Sequence, residues 1–372
     1  MCETNQDFPH FMLKEIHQQP AAIQTCLSTY WNPQSQTIQL PPFPFSSFPH
    51  EIHILASGTS RHASLIAQFW LEQLAHIPTR VRSGSEFLEA PLPLTANTLT
   101  IGVTQSGETA DTLQALEFEH HRRNQAAPEF HPHLLGITNQ ATSSLADRVD
   151  TVIPTLAGTE VGVAATKTFT TQLVVFYLLA LKLAEQRQCL NHDRTLQAIA
   201  VLHQLPAKIQ QVLQQADRIQ AIAEQLVNTR HCIVLGRGIN QAIALEAALK
   251  LKETTYLHAE GYAAGEFMHG PIALLDEQIP IIAIAPADNT QANLLANIHK
   301  AKSHGSPIIG IVTRDDGTNT AELFETQIIL PTVEEMLSPL LTVIPLQLLA
   351  YHIAVLRGLN VDRPRNITKT LA

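Results

Sequence analysis

The sequence predicts an α/β protein made of two tandem domains, each a parallel, doubly wound sheet flanked by helices. Three observations carry that reading. Apolar β-type runs alternate with helical stretches along the chain, which favours a parallel sheet covered on both faces. The alternation restarts near residue 230. Three landmarks of the first half then recur at one offset. Gly58 of "ILASGTS" falls on Gly238 of "VLGRGIN", Glu86-Phe87 fall on Glu266-Phe267, and "TIGVT" (100–104) falls on "PIIAI" (280–284), each 180 residues apart. Self-similarity at a fixed period marks a structural repeat.

The elements follow in order. "EIHILAS" (51–57) reads as a buried strand and "RHASLIAQFWLEQLAH" as the helix after it. "TLTIGV" and "HLLGIT" are strands, with the helix "ADTLQALEFEHHRR" between them. "SSLADR" is a short helix and "TVIPT" a strand. "TKTFTTQLVVFYLLALKLAEQ" is a long core helix. Its apolar stretch "LVVFYLLALKLA" is interrupted by Lys182 and is shorter than a bilayer span requires. A Gln-rich amphipathic segment, "AKIQQVLQQADRIQAIAEQLVNT" (207–229), reads as one connecting helix with solvated glutamines. The second half then supplies "HCIVLGRG", "IPIIAIAP", "SPIIGIV" and "TQIILP" as strands. The organisation expected is a helical lead over 1–44, domains over 45–200 and 230–360, the connecting helix over 201–229, and a tail over 361–372.

Composition narrows the function. The chain has 372 residues, 45% hydrophobic and 15% charged, a profile able to bury a large core. Its net charge is −9, from 24 basic and 33 acidic residues, which argues against a nucleic-acid binder. The four cysteines, Cys2, Cys26, Cys189 and Cys232, show no CxxC spacing or disulfide framework, so a reducing cytoplasm fits. The beginning lacks the pattern of a signal peptide. No cofactor and no metal are expected. No Walker pattern is present, and "LGRGIN" is a weak match to a dinucleotide turn.

Two first-half strands end in hydroxyl-rich turns, "SGTS" (57–60) and "TQSGET" (104–109). A helix start needs one capping residue; this surplus suggests a ligand. Free N–H groups and positive dipole ends at the two helix starts favour an anion. Ser60, Thr104, Gln105, Ser106 and Thr109 add donors without charge, which suits one phosphate on a small molecule. The second half has "IAPADNT" at the place of "TQSGETA", so the hydroxyl-rich loop belongs to one half.

A second cluster lies in "LEAALKLKETTYLHAEGYAAGEFMHGP" (245–271). Glu246, Lys250 and Glu253 share one helical face. An exposed salt-bridge ladder would be worth little. The neighbours Ala247, Ala248, Leu249 and Leu251 instead suggest a buried helix, where charges need partners or a task. Glu253 is the candidate general base. His269 follows Glu260 and Glu266 in a small-residue loop and is a candidate proton shuttle. The tail "NVDRPRNITKTLA" carries Arg363, Pro364, Arg365 and Lys369, and from composition alone it could equally fray.

Together these stretches resemble the sugar isomerase (SIS) domain family, and in it the isomerase half of glucosamine-6-phosphate synthase. The likeness runs from "FMLKEIHQQP" (11–20) through "SGTS", "TQSGETADTLQAL", "AGTEVGVAATKTFTTQL", "LGRG" and "IALEAALKLKETTYLHAEGYAAGEFMHGPIALLD" to "PRNITK". It implies two flavodoxin-like SIS domains. It places Ser60, Thr104, Gln105, Ser106 and Thr109 around phosphate and Thr59 near the sugar, with Val163 meeting the sugar through its backbone. The next sugar-contacting position of the family is usually Ser, and Ala165 stands here. Glu253 matches the base that moves a proton between C1 and C2, with Lys250 beside it. His269 matches the residue that assists ring opening, reaching the site of a neighbouring subunit in a homodimer. Lys369 matches the tail lysine that meets the sugar carbonyl. Cys2 sits where the synthase's glutaminase nucleophile would, but the sequence runs almost directly into "MLKEIH", so its position is read as coincidence.

The activity implied is an amino-sugar-phosphate deaminase/isomerase, converting glucosamine 6-phosphate and water to fructose 6-phosphate and ammonia. The alternatives are the reverse synthesis with supplied ammonia, a deglycase of another aminated sugar phosphate, and a sensor without turnover. The resemblance implies a cytoplasmic homodimer with a sugar-phosphate substrate and neither nucleic-acid nor membrane partners.

Overall fold

The computed structural model describes residues 8–45, 48–313 and 322–369; Cys2 lies outside them. The chain forms two compact units. One comprises 21–160, 167–203 and 369–372, and the other 1–20, 161–166 and 204–368. Ahead of the first sheet come α1 (Phe11–His17), α2 (Gln19–Tyr30) and an antiparallel hairpin, β1 (Trp31–Asn32) with β2 (Thr37–Ile38). The helical lead expected over 1–44 thus contains a hairpin as well.

The first repeat runs β3 (Glu51–Ala56), α3 (Gly58–Leu74), β4 (Thr79–Ser83), α4 (Gly84–Glu89), β5 (Thr98–Val103), α5 (Ala110–Asn124), β6 (His133–Thr138), β7 (Thr151–Pro154), α6 (Lys167–Gln186) and α7 (His192–Leu202). Its strands pair in parallel in the order β4-β3-β5-β6-β7. Every residue of β3 and β5 is buried, as near-continuous apolar runs in a doubly covered sheet should be. Helix α3 starts three residues earlier than the apolar pattern suggested, so Gly58, Thr59 and Ser60 form its first turn.

The second repeat runs α8 (Leu205–Leu213), α9 (Ala216–Leu226), β8 (His231–Gly236), α10 (Gln241–Thr255), β9 (His258–Ala263), α11 (Ala264–Phe267), β10 (Ile281–Ala285), α12 (Gln291–Lys302), β11 (Ile308–Thr313), β12 (Thr326–Leu330) and α13 (Ser338–Leu356). Its parallel order, β12-β11-β10-β8-β9, matches the first sheet strand for strand. Gly58 and Gly238 both adopt left-handed backbone, at φ +54° and +56°. Phe87 and Phe267 are both fully buried. The offset is 180 at these points and becomes 181 at the third strand, because Ile54 pairs with Ile101 and Val234 with Ile282.

Two expectations need correction. The connecting segment is not one helix. It breaks at Gln214-Gln215 into α8 and α9, which bury separate stripes, Ile209, Val212 and Leu213 in one and Ile219, Ile222, Ala223 and Leu226 in the other. Gln215 is not merely solvated, since its side chain donates to the Ile329 carbonyl (2.8 Å). The core helix α6 falls where the sequence placed it, but its apolar window is longer than the stretch 173–184 indicated. By length and composition, 167–186 and 335–356 could each cross a membrane, yet 89% and 83% of their apolar windows are buried inside the protein. They are core helices of their sheets.

Candidate functional site

A doubly wound sheet offers a crevice where the strand order reverses, outside the carboxyl ends of the two strands flanking that point. In the first repeat these strands are β3 and β5, which end side by side with Ala56 paired to Val103. The two hydroxyl-rich turns leave from these ends. Thr104 and Ser60 are buried, at 2% and 8% exposure, while Thr59, Gln105 and Ser106 are half-buried. Ser60 accepts a hydrogen bond from the buried Gln172 amide (3.0 Å). The Thr104 and Thr109 hydroxyls meet at 2.6 Å, and the Ser106 hydroxyl accepts from the Glu108 N–H (3.1 Å). The Gln105 carbonyl accepts from Asn139 N–H (3.1 Å) and so ties the loop to the next strand end.

Neither helix start is capped by its own side chain. Ser57 precedes α3 and Thr109 precedes α5, and neither makes a capping hydrogen bond. The hydroxyls are therefore not there to cap. The two helix starts lie side by side, where an anion is favoured. Ser57 Oγ and Gln172 Oε1 are buried without a partner among the described residues. Gly107 sits at φ +74°, and a Cβ there would collide with Ser143.

The matching crevice of the second repeat lies between β8 and β10. Arg237 precedes its first turn, with its guanidinium on Asn297 Oδ1 (3.3 Å). At the place of Gly107 stands Asp288, whose carboxylate accepts from the N–H (2.8 Å) and hydroxyl (2.7 Å) of Thr290. A carboxylate thus stands where the first repeat has a glycine.

Helix α10 carries the charged face. Glu246 and Lys250 are fully buried, and Glu253 keeps 22% of its side chain exposed. The Lys250 ammonium lies 2.6 Å from Glu253 and 3.4 Å from Glu246. Buried Lys250 thus fixes one carboxylate that can still reach outward. Gly261 lets strand β9 approach this helix closely, since a Cβ there would meet the Ala244 carbonyl. The small-residue run "GYAAGEF" is therefore strand and short helix rather than an excursion. The turn 268–270 follows, and His269 is exposed on it. Glu260 is not beside that histidine in function. It accepts from Tyr262 and lies 3.3 Å from His258.

The C-terminal segment is held in place. Asp362 accepts from the N–H groups of Phe11 (3.0 Å) and Met12 (2.8 Å), and its carbonyl accepts from the Val163 N–H (3.1 Å). Ala165 is half-buried in the same loop. Pro364 is buried, Arg363 is exposed, and the Arg365 guanidinium stacks over the Tyr256 ring at 4.1 Å. Of Arg363, Pro364 and Arg365, the side chain of Arg363 is held least. Lys369 meets Glu160 at 2.9 Å. Glu160 is itself buried and accepts from the Thr168 N–H (3.2 Å) and hydroxyl (2.7 Å). Glu160, Tyr256 and Asp362 were missed in the sequence. A lone carboxylate inside the small-residue stretch "AGTEVGVAATK" was the available signal for Glu160.

Glu253 opens on a pocket of about 440 Å³ shared with Lys252, Tyr256, His258, Arg365 and Asn366. Among the described residues, no three His, Cys, Asp or Glu side chains converge as a metal site.

Comparison with known proteins agrees with this architecture. The SIS domain profile matches residues 49–182 and 225–357. The glutamine–fructose-6-phosphate aminotransferase of Synechocystis sp. is 50% identical over 98% of this chain, and that of Aquifex aeolicus 41% over 98%. The chain spans 59% and 58% of those relatives' lengths. The C-terminal domain of glucosamine-fructose-6-phosphate aminotransferase from Francisella tularensis superposes with a TM-score of 0.87 at 32% identity, over 97% of this chain and 100% of that one. The glucosamine-6-phosphate deaminase of Thermotoga maritima shares the fold at TM-score 0.75 and 21% identity, over 97% and 99%. The two sheets of like order, the two matched segments and the full-length likeness make this chain a member of the SIS domain family.

Proposed function

We propose that the chain catalyses proton transfer between C1 and C2 of an amino-sugar 6-phosphate, with glucosamine 6-phosphate and water giving fructose 6-phosphate and ammonia. The observation that carries the reading is Glu253, a partly exposed carboxylate fixed by buried Lys250 on an otherwise buried helix face. In the open-chain aldehyde, Glu253 takes the C2 proton and the electron pair forms an enolamine. Reprotonation at C1 leaves an imine at C2. Water adds to that imine and ammonia departs. The phosphate is held by Ser60, Thr104, Gln105, Ser106 and Thr109 with the first-turn N–H groups, and Thr59 lies toward the sugar. Ala165 leaves out one hydroxyl contact to it, while the Val163 backbone supplies another. Lys369 meets the carbonyl end, steadied by Glu160. His269, exposed on its turn, assists ring opening and would serve a second copy in a homodimer. We read the enzyme as cytoplasmic.

The same steps run in reverse make glucosamine 6-phosphate from fructose 6-phosphate and ammonia. The identity of 50% to an aminotransferase over 98% of the chain favours that second reading. Incubating the protein with glucosamine 6-phosphate, and separately with fructose 6-phosphate and ammonium, decides between them. Ammonia release in the first arm supports the deaminase. Product in the second arm alone supports synthesis. Silence in both, with the sugar phosphate still bound, would return the chain to a sensor.

A further inference from the structure

We propose that Tyr256 is a positioning residue: it clamps the C-terminal segment through Arg365 and so sets where Lys369 is delivered. The inference rests on the reading of Lys369 as the group that meets the substrate carbonyl.

Tyr256 is the C-cap of α10, at φ +60° and ψ +21°. That left-handed position normally falls to Gly, because a Cβ there crowds the neighbouring carbonyl. A large aromatic residue at such a place needs compensation from its surroundings. Here one tail residue supplies it twice. The Arg365 guanidinium covers the ring at 4.1 Å, and the Arg365 backbone N–H donates to the Tyr256 hydroxyl at 2.8 Å. A cation over an aromatic face is attracted by the ring quadrupole. The backbone bond fixes the register of the segment, which a side-chain contact alone would not.

The next residue, Asn366, is also left-handed, at φ +63°. It turns the chain three residues before Lys369. Tyr256 lies three residues beyond Glu253 on the same helix end, and both line the pocket of about 440 Å³. The clamp therefore ties Arg365 and Asn366 to the helix that carries the proposed base. A glycine cap would end α10 at less strain, but it would offer neither ring nor hydroxyl.

The test uses the full chain and five variants: Tyr256→Leu, Tyr256→Phe, Arg365→Ala, a chain ending at Thr368, and that shortened chain with Tyr256→Leu. Ammonia release from glucosamine 6-phosphate and hydrogen exchange of residues 363–369 are measured for each. Tyr256→Leu and Arg365→Ala should lower kcat about tenfold or more with KM within about threefold, and both should speed exchange in the tail alone. Tyr256→Phe keeps the ring and should lose less than Leu. In the chain ending at Thr368, Tyr256→Leu should cost nothing further, because the lysine it positions is gone. Unchanged tail exchange in both Tyr256→Leu and Arg365→Ala overturns the clamp, whatever the activity. An additive loss in the truncated chain overturns the link to Lys369. Full turnover after truncation instead removes the assigned role of Lys369, and the exchange measurement still decides the clamp.

Discussion

The two repeats share a strand order, a left-handed glycine after the first strand and a buried phenylalanine, and they part at the carboxyl ends of their sheets. In the first, the loop after the third strand brings Thr104, Ser106 and Thr109 around Gly107. In the second, the corresponding loop brings Asp288, which takes up the local N–H and hydroxyl of Thr290 for itself. The first crevice offers donors, and the second spends its donors on its own carboxylate. The ionic equipment is distributed the other way. Helix α10 of the second repeat carries Glu246, Lys250 and Glu253. The first repeat has Ile66, Trp70 and Gln73 at the corresponding places, the first two buried and the third exposed. One framework thus carries two different sets of side chains, because the strands set the positions and the loops set the chemistry.

Replacing the proposed base should have the largest effect. Glu253→Gln keeps shape and the contact with Lys250 but removes the basic lone pair. We expect kcat to fall by about 10² or more, with sugar phosphate still bound. Exchange of the C2 proton with solvent deuterium at the parent rate would contradict the assignment.

The next test sharpens the contrast between the loops. Thr104→Ala and Ser106→Ala should each cost roughly 1.5–3 kcal/mol of phosphate binding, the worth of a hydrogen bond to a charged group. KM should rise accordingly. Thr290→Ala, in the corresponding loop of the second repeat, where it matches Thr109, should leave KM within about twofold. Equal rises for Thr104 and Thr290 variants would erase the proposed difference between the crevices.

His269 tests whether the repeats of one chain suffice. If it serves a second copy, mixing inactive Glu253→Gln and inactive His269→Ala subunits rebuilds one intact site per mixed dimer. Random exchange should then restore about a quarter of parental activity. Exchange demonstrated by mass, with no activity returned, would confine His269 to its own chain or remove it from the reaction.

The smallest effect concerns the opposite end of the first sheet. His53 is buried beside Glu51 (3.3 Å) and near Glu119 (4.0 Å), with Arg80 on Glu51 and with Arg122 and Arg123 on Glu119. Burial, ahead of the attraction of the two carboxylates, holds its imidazole below the ordinary 6.5. The unfolded chain then binds more protons than the folded one as pH falls below that value. Stability should therefore drop from about pH 6.5 downward, until His53 also charges in the folded state. The second repeat has Ile233 at this place. His53→Gln should flatten the dependence of Tm on pH over that window, and an unaltered slope would exclude His53 as its source.

Much of this was legible in the sequence. Buried parallel strands read as continuous apolar runs, so β3, β5 and β6 stood out, and the repeat followed from Gly58 and Gly238. The face of α10 was readable because helical spacing alone brings Glu246, Lys250 and Glu253 together. What escaped were contacts between residues distant in sequence. No local pattern brings Glu160 to Lys369, 209 residues apart, or Tyr256 to Arg365, 109 apart. The break between α8 and α9 was hidden too, because neither Gly nor Pro marks Gln214-Gln215 and the split is set by what each helix packs on. The run "GYAAGEF" misled in the other direction. Its small residues serve the close approach of β9 to α10, not a loop.

The central claim is that the first repeat alone holds the phosphate. The most direct measurement is a crystal structure of this protein with fructose 6-phosphate bound. The account predicts phosphorus between the turns 57–60 and 104–109, with oxygens accepting from the Ser60, Thr104, Ser106 and Thr109 hydroxyls and from first-turn N–H groups. Phosphorus at Gly238 and Thr290, with Arg237 released from Asn297 to meet it, would contradict the account.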